Sequence, residues 1–134
     1  IDYLSSLKFV SEERTRARFS EIAGKLRESY MRRAPQAELV AEYVAQSPYP
    51  VVVCGDFNDT PISYAHRTIQ GPLKDAYAAS GCGVGVTYNE NFFWFRIDNI
   101  LHSANMKPIN CTVDKVRYSD HYPLWCYLQL KEGD

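Results

Sequence analysis

Residues Val51 to Pro61 read VVVCGDFNDTP, a run of apolar β-formers that stops at a glycine and is followed by two acids, an amide and a proline. A strand that is hydrophobic at successive positions is usually covered on both faces, and the carboxyl end of such a strand is where α/β proteins collect ligand groups. Gly55 lets the chain turn sharply there, and Asp56 and Asn58, two residues apart, project to the same side if extended geometry persists. The stretch predicts a doubly covered strand at Val51–Cys54 that ends on a polar, functional rim.

Upstream of it the pattern is helical. Ser11 followed by Glu12 and Glu13 reads as a helix N-cap with acids in the first turn, and Phe19, Ile22, Leu26 and Tyr30 recur at spacings of three and four. Pro35 starts a second helix or kinks the first, after which Leu39, Val40, Tyr43 and Val44 resume the apolar stripe up to Ser47-Pro48-Tyr49-Pro50. The arginines and lysines of this region interleave with glutamates, which predicts a solvated, salt-bridged face, with a phosphate-binding surface as the alternative.

Downstream, Thr60 reads as the cap of a short helix to Ile69, closed by Gly71-Pro72. The sequence Gly81-Cys-Gly-Val-Gly85 reads as loop. Strands are expected at 97–102, loosely at 109–116, and at 122–130. Helix first and strands later points to a mixed α/β layer with no internal linker.

Composition sets outer bounds. With 134 residues, 46% of them hydrophobic and 23% charged, the chain suits one domain with a core. A net charge of -1 gives no global field for nucleic acid or membrane. No apolar run approaches the roughly 18 residues of a spanning helix, and IDYLSSLKF lacks the features of a signal peptide. The chain begins at Ile1 rather than Met, which suggests a processed segment of something longer. Cys54, Cys82, Cys111 and Cys126 show no metal-ligand spacing and read as buried free thiols. His66 and His102 read as surface or structural residues.

Two further polar clusters join GDFND. Asp98, in Arg96-Ile-Asp98-Asn-Ile-Leu101, falls in a strand-like apolar segment where a carboxylate needs a partner. Tyr118-Ser-Asp120-His121-Tyr-Pro123 sets an acid beside an imidazole immediately before the last strand. In that order, GDFNDTP, RIDNIL and SDHYP resemble the endonuclease/exonuclease/phosphatase family, which includes deoxyribonuclease I, apurinic endonucleases, inositol polyphosphate 5-phosphatases and neutral sphingomyelinases. The resemblance spans Val51 to Leu130. It implies an α/β fold that is part of a four-layer α/β/β/α sandwich, deoxyribonuclease I-like, with a mixed sheet and flanking helices, and a metal-dependent phosphoesterase acting through an activated water.

By that resemblance Asp56 orients or deprotonates the water, Asn58 holds a phosphate oxygen, His121 contacts the scissile phosphate, Asp98 pairs with His121, and Asp120 stands beside the metal. The metal implied is Mg²⁺, with Mn²⁺ as an alternative. The family's principal glutamate ligand has no counterpart here, so residues 1–134 correspond to the C-terminal portion of one domain, and the isolated fragment is expected to be inactive or very weakly active. Trp94 and Phe95, in the aromatic run before RID, are substrate-contact candidates, with core packing as the alternative. The substrate is a phosphate ester, whether nucleic acid, inositol phosphate or phospholipid. Self-association of the fragment is expected if apolar sheet surface is left uncovered. A non-catalytic interaction module on the same fold is the second reading. The resemblance is compatible with a full-length protein that is either membrane-anchored or cytoplasmic.

Overall fold

The computed structural model describes residues 3–88, 90 and 95–131, with side chains from Glu13 onward. A long helix, α1 (Tyr3–Gln46), comes first. It is already helical at Ser11, so Ser11 is not its cap. The preceding segment YLSSLKFV holds no glycine or proline that would delay the start. Pro35 lies inside α1 rather than beginning a second helix, at the loss of one backbone donor. The chain divides at that proline into two compact units, 1–35 and 36–134.

The first unit is helix alone. Glu21 meets Lys25 at 2.7 Å and Glu28 meets Arg32 at 2.6 Å, each with the acid four residues N-terminal to the base, the orientation that suits a helix surface. Phe19, Ile22, Leu26 and Tyr30 form the expected stripe and are all exposed.

In the second unit β1 (Val52–Asp56) is followed by α2 (Tyr64–Gln70), β2 (Lys74–Asp75), α3 (Ala76–Ser80), β3 (Asp98–His102), β4 (Met106–Val113) and β5 (Leu124–Leu130). The first three strands form one sheet in the order β1-β3-β2 and the last two form another, with every pairing between these strands antiparallel. Sheets with flanking helices are the α/β class that the sequence implies.

Burial identifies the central strand. Leu101 packs with Ala37, Ala65, Ile69 and Leu73 on one side of β3, and Ile100 packs with Ala76, Tyr77 and Cys111 on the other. Alternation along one strand therefore feeds two clusters. The expectation that Val51–Cys54 is the doubly covered strand needs correction: among the described residues β1 pairs with β3 alone, Val53 is half-buried, and Val52 and Cys54 are exposed. The thiols follow the same pattern, all free, but with only Cys111 buried.

Local chemistry sets the shorter elements. Ser63, not Thr60, caps α2 by accepting from His66 N at 3.1 Å, and Gly71 ends that helix with φ 43, a conformation that favours glycine. β2 and α3, which are not expected from the sequence pattern, hinge on Asp75. Its carboxylate caps α3 by accepting from Tyr77 N at 3.0 Å and Ala78 N at 3.1 Å. In β4 a register shift between Ile109 and Thr112, with Asn110 at φ 52, accounts for the loose alternation of that stretch.

Asp75 also anchors a buried polar network. Arg96 donates to its two oxygens at 3.0 and 2.6 Å and to Asn99 Oδ1 at 3.0 Å, an oxygen that also lies 3.2 Å from His66 Nε2. Burial alone would raise the Asp75 carboxyl, but its bonds to Arg96 and Ala78 override that and hold it below the usual range. Burial pushes His66 below its ordinary value, against the pull of Asp75 and Asn99, and its Nδ1 finds no partner among the described residues. His66 and His102 are both buried, which settles their structural rather than surface placement.

Removing one partner of a buried pair leaves the other uncompensated. Arg96→Met is expected to cost about 3–5 kcal/mol in urea unfolding, and a loss below about 1 kcal/mol would show that the network contributes little. His66, lowered in the folded state, gives a separate signature: stability is fully present above the ordinary histidine value and falls as pH drops below about 6.5, where the unfolded chain takes up the proton first. A His66→Gln variant should lose that acid-side slope.

Candidate functional site

The antiparallel register places Asp56, the last residue of β1, directly across from Asp98, the first of β3. Cross-strand partners share a face, so two carboxylates meet where the strands end, an arrangement unfavourable for like charges unless a cation stands near. His121 occupies that position. Its Nδ1 donates to Asp98 Oδ2 at 2.8 Å, and its Nε2 lies 3.9 Å from Asp56 Oδ2, beyond hydrogen-bond reach. An ionised carboxylate only accepts, which places a proton on Nδ1.

Backbone contacts fix this arrangement. Asp56 Oδ1 accepts from Asn58 N at 2.7 Å, closing a turn in which Asn58 adopts φ 49. His121 N donates to Ser119 Oγ at 3.2 Å, and the Tyr88 ring lies tilted against the imidazole with centroids 5.2 Å apart. An open cleft of about 410 Å³ lies over the trio, lined also by Cys54, Tyr122 and Leu124.

The hydrogen bond to Asp98 raises the His121 pKa, burial opposes it, and the charges of Asp98, Asp56 and Asp120 add to the rise. The ring is thereby biased towards imidazolium. One donor atom from each of Asp56, Asp98 and His121 lies within 4.8 Å of the others, so the trio also qualifies as a potential cation site. Carboxylate oxygens suit a hard divalent ion, but an imidazolium cannot ligate, which leaves the carboxylates, Asp56 above all, as the fitting donors.

The family model for the endonuclease/exonuclease/phosphatase family matches residues 16–121. The chain belongs to that family. A solved endonuclease/exonuclease/phosphatase from Bacteroides vulgatus is 29% identical with a TM-score of 0.64, covering 74% of this chain and 44% of that one. A mannosyl-6-phosphatase from Bacteroides thetaiotaomicron is 24% identical with a TM-score of 0.61, over 73% and 46% of the two chains. A second family protein from that organism, at 24% identity, has a TM-score of 0.63 over 74% and 45%. These likenesses place the fold in the deoxyribonuclease I-like class, and this chain spans less than half the length of the structures it matches. No curated protein matches it in sequence.

The residues singled out from the family motifs fall in three places. Asp56, Asp98 and His121 converge, with Asn58 exposed on the turn beside them. Asp120 stands apart: it is exposed, accepts from Ser119 Oγ at 3.0 Å, and lines a neighbouring pocket with Glu90, Arg117 and Tyr118. Phe95 is exposed and bridges Tyr88 through its backbone, while Trp94 lies outside the described residues. Thr87 and Tyr88 act on the site through a hydrogen bond and a ring contact, with no motif or period to announce them, whereas Ser119, which accepts from His121 N, lies within the SDHYP motif.

Because the folded state raises His121, its contribution to stability is fully present below the ordinary value of about 6.5 and is lost as pH rises through the folded value. An NMR titration of His121 should give a midpoint above 6.5, and Asp98→Asn should move it down. A midpoint unchanged by Asp98→Asn would show that the hydrogen bond does not set the charge.

Proposed function

We propose that this chain is the C-terminal portion of a metal-dependent phosphoesterase domain, with Asp56, Asn58, Asp98 and His121 as its contribution to the active site. The observation that carries this reading is the Asp56–His121–Asp98 constellation at the paired ends of two strands, in a chain of the endonuclease/exonuclease/phosphatase family.

The chemistry suits these groups. Phosphate-ester hydrolysis needs an acceptor for the water proton, donors to the phosphoryl oxygens and a cation against their charge. His121 spends Nδ1–H on Asp98, which leaves the Nε2–H of an imidazolium to donate to a phosphoryl oxygen. Asp56 Oδ2 faces the same space and accepts the proton of the attacking water. Asn58, on the turn that Asp56 closes, holds a second phosphoryl oxygen. Asp98 keeps the imidazole oriented and charged. Mg²⁺ or Mn²⁺ would be held by Asp56 and would supply further neutralisation of phosphate charge, with Asp120 adding its charge from the neighbouring pocket. So few carboxylates would leave such an ion in need of waters and of ligands from elsewhere in the domain. The substrate is a phosphate ester, and Trp94 and Phe95 remain candidates for contacting it.

Exposed apolar groups support a larger domain. Val52 on β1 and Phe19, Ile22 and Leu26 on α1 lie open, in a chain that spans less than half of its structural neighbours. The fragment alone is accordingly expected to turn over weakly or not at all, and to self-associate.

In the full-length protein, Asp56→Asn is expected to lower metal-dependent turnover of a phosphate ester by roughly 100-fold or more, the scale of a lost general base. A chelator should abolish activity and added Mg²⁺ or Mn²⁺ should restore it. Chelator-resistant hydrolysis, or a folded Asp56→Asn variant with near-normal turnover, would contradict the assignment and favour a non-catalytic module on the same fold.

A further inference from the structure

Thr87 is fully buried and ties together the two stretches of chain that carry Asp98 and His121. Its hydroxyl oxygen accepts from Ile97 N and from Asp98 N, both at 3.1 Å. Its carbonyl accepts from Tyr122 N at 2.7 Å, and its own amide donates to Phe95 O at 3.1 Å. One residue therefore bonds to the backbone of Asp98 itself and to that of the residue next to His121.

We propose that Thr87 is a positioning residue whose hydroxyl sets the geometry of the Asp98–His121 pair. Sheet topology shows why such a residue is needed. β2 pairs with β3 only at Leu101 and His102, so at its Asp98 end β3 has β1 as its one strand neighbour among the described residues. The amide of Asp98, the first of β3, and that of Ile97 just before it take a side-chain oxygen where a third strand would otherwise offer carbonyls. Any residue at this position supplies the carbonyl to Tyr122. The hydroxyl, in contrast, needs Thr or Ser, and the β-branch of Thr holds its oxygen in few rotamers. Deleting that oxygen leaves two half-buried amides without their acceptor, and the segment must shift to recover partners. Asp98 moves with it, and the 2.8 Å bond to His121 is the contact that a small shift degrades.

The kinetic consequence rests on the phosphoesterase reading; the structural one does not. Thr87→Val keeps the volume and removes the acceptor. In the full-length protein its kcat is expected to fall roughly 10- to 100-fold with KM changed less than about twofold, the pattern of a misplaced catalytic group. Thr87→Ser, which keeps the oxygen, should restore turnover to within about threefold of the parent. Independently of turnover, the low-field NMR resonance of the His121 Nδ1 proton should survive in Thr87→Ser and broaden or shift upfield in Thr87→Val. A folded Thr87→Val that keeps both resonance and turnover overturns the proposal, as does a Thr87→Ser variant as impaired as Thr87→Val, which would assign the effect to methyl packing. If Thr87→Val does not fold, Thr87→Cys, of similar volume with a weak acceptor, is read by the same two measurements. Should the parent protein hydrolyse no phosphate ester, the phosphoesterase reading fails, and the resonance comparison still judges Thr87.

Discussion

Arg96 meets Asp75 through two parallel contacts in an interior that offers neither of them water. A buried guanidinium is tolerable only when its donors are used, and here they reach Asp75 and Asn99 at once. Asp75 in turn caps α3, and Asn99 reaches His66 on α2 and the Ile97 carbonyl. Three elements are thus referred to the residues that begin β3. The cost of leaving any member of this network unpaired makes the start of β3 a fixed point of the fold rather than a fraying strand end.

That fixed point carries Asp98. The register with β1 brings Asp56 opposite it, and His121 enters beside both carboxylates from the loop before β5. Charge explains why the three belong together: two carboxylates at a strand end repel, an imidazolium offsets them, and they in turn raise the histidine. The site is polar because its charges stabilise one another, and among the described residues β1 lies at the edge of the sheet. Val51–Cys54 thus ends on polar groups for a geometric reason. Its last residue is one wall of the cleft.

Much of this arrangement was legible in the sequence. The three motifs, their order and the strands beneath them foretold the fold class, and Asp98 in an apolar segment announced a need for the partner it has. The rest depended on contacts distant along the chain. Nothing in VVVCGDFNDTP shows that β1 is an edge strand, because apolar composition reports the need for cover rather than its supply. Ser11 resembles a cap only while the eight residues before Gly-free helix continuity are ignored, and Ser63 outcompetes Thr60 through a bond to His66 N that depends on the local turn. Asp75 sits in LKDAY without any motif, yet it caps one helix and neutralises one arginine. Thr87 lies in a glycine-rich loop with no period to mark it. Asp120, adjacent to His121 in sequence, lines a different pocket where the chain bends at residues 118–120.

The central claim is that Asp98 acts through His121 and has no independent part in turnover. A double-mutant cycle in the full-length protein tests this directly, with circular dichroism establishing that Asp98→Asn, His121→Ala and the double variant all stay folded. Once the ring is gone, Asp98 has nothing to orient, so the double variant is expected to turn over no more slowly than His121→Ala alone. Losses that simply add, the double variant being slower than His121→Ala by the full factor of Asp98→Asn, would contradict the account and give Asp98 a role of its own.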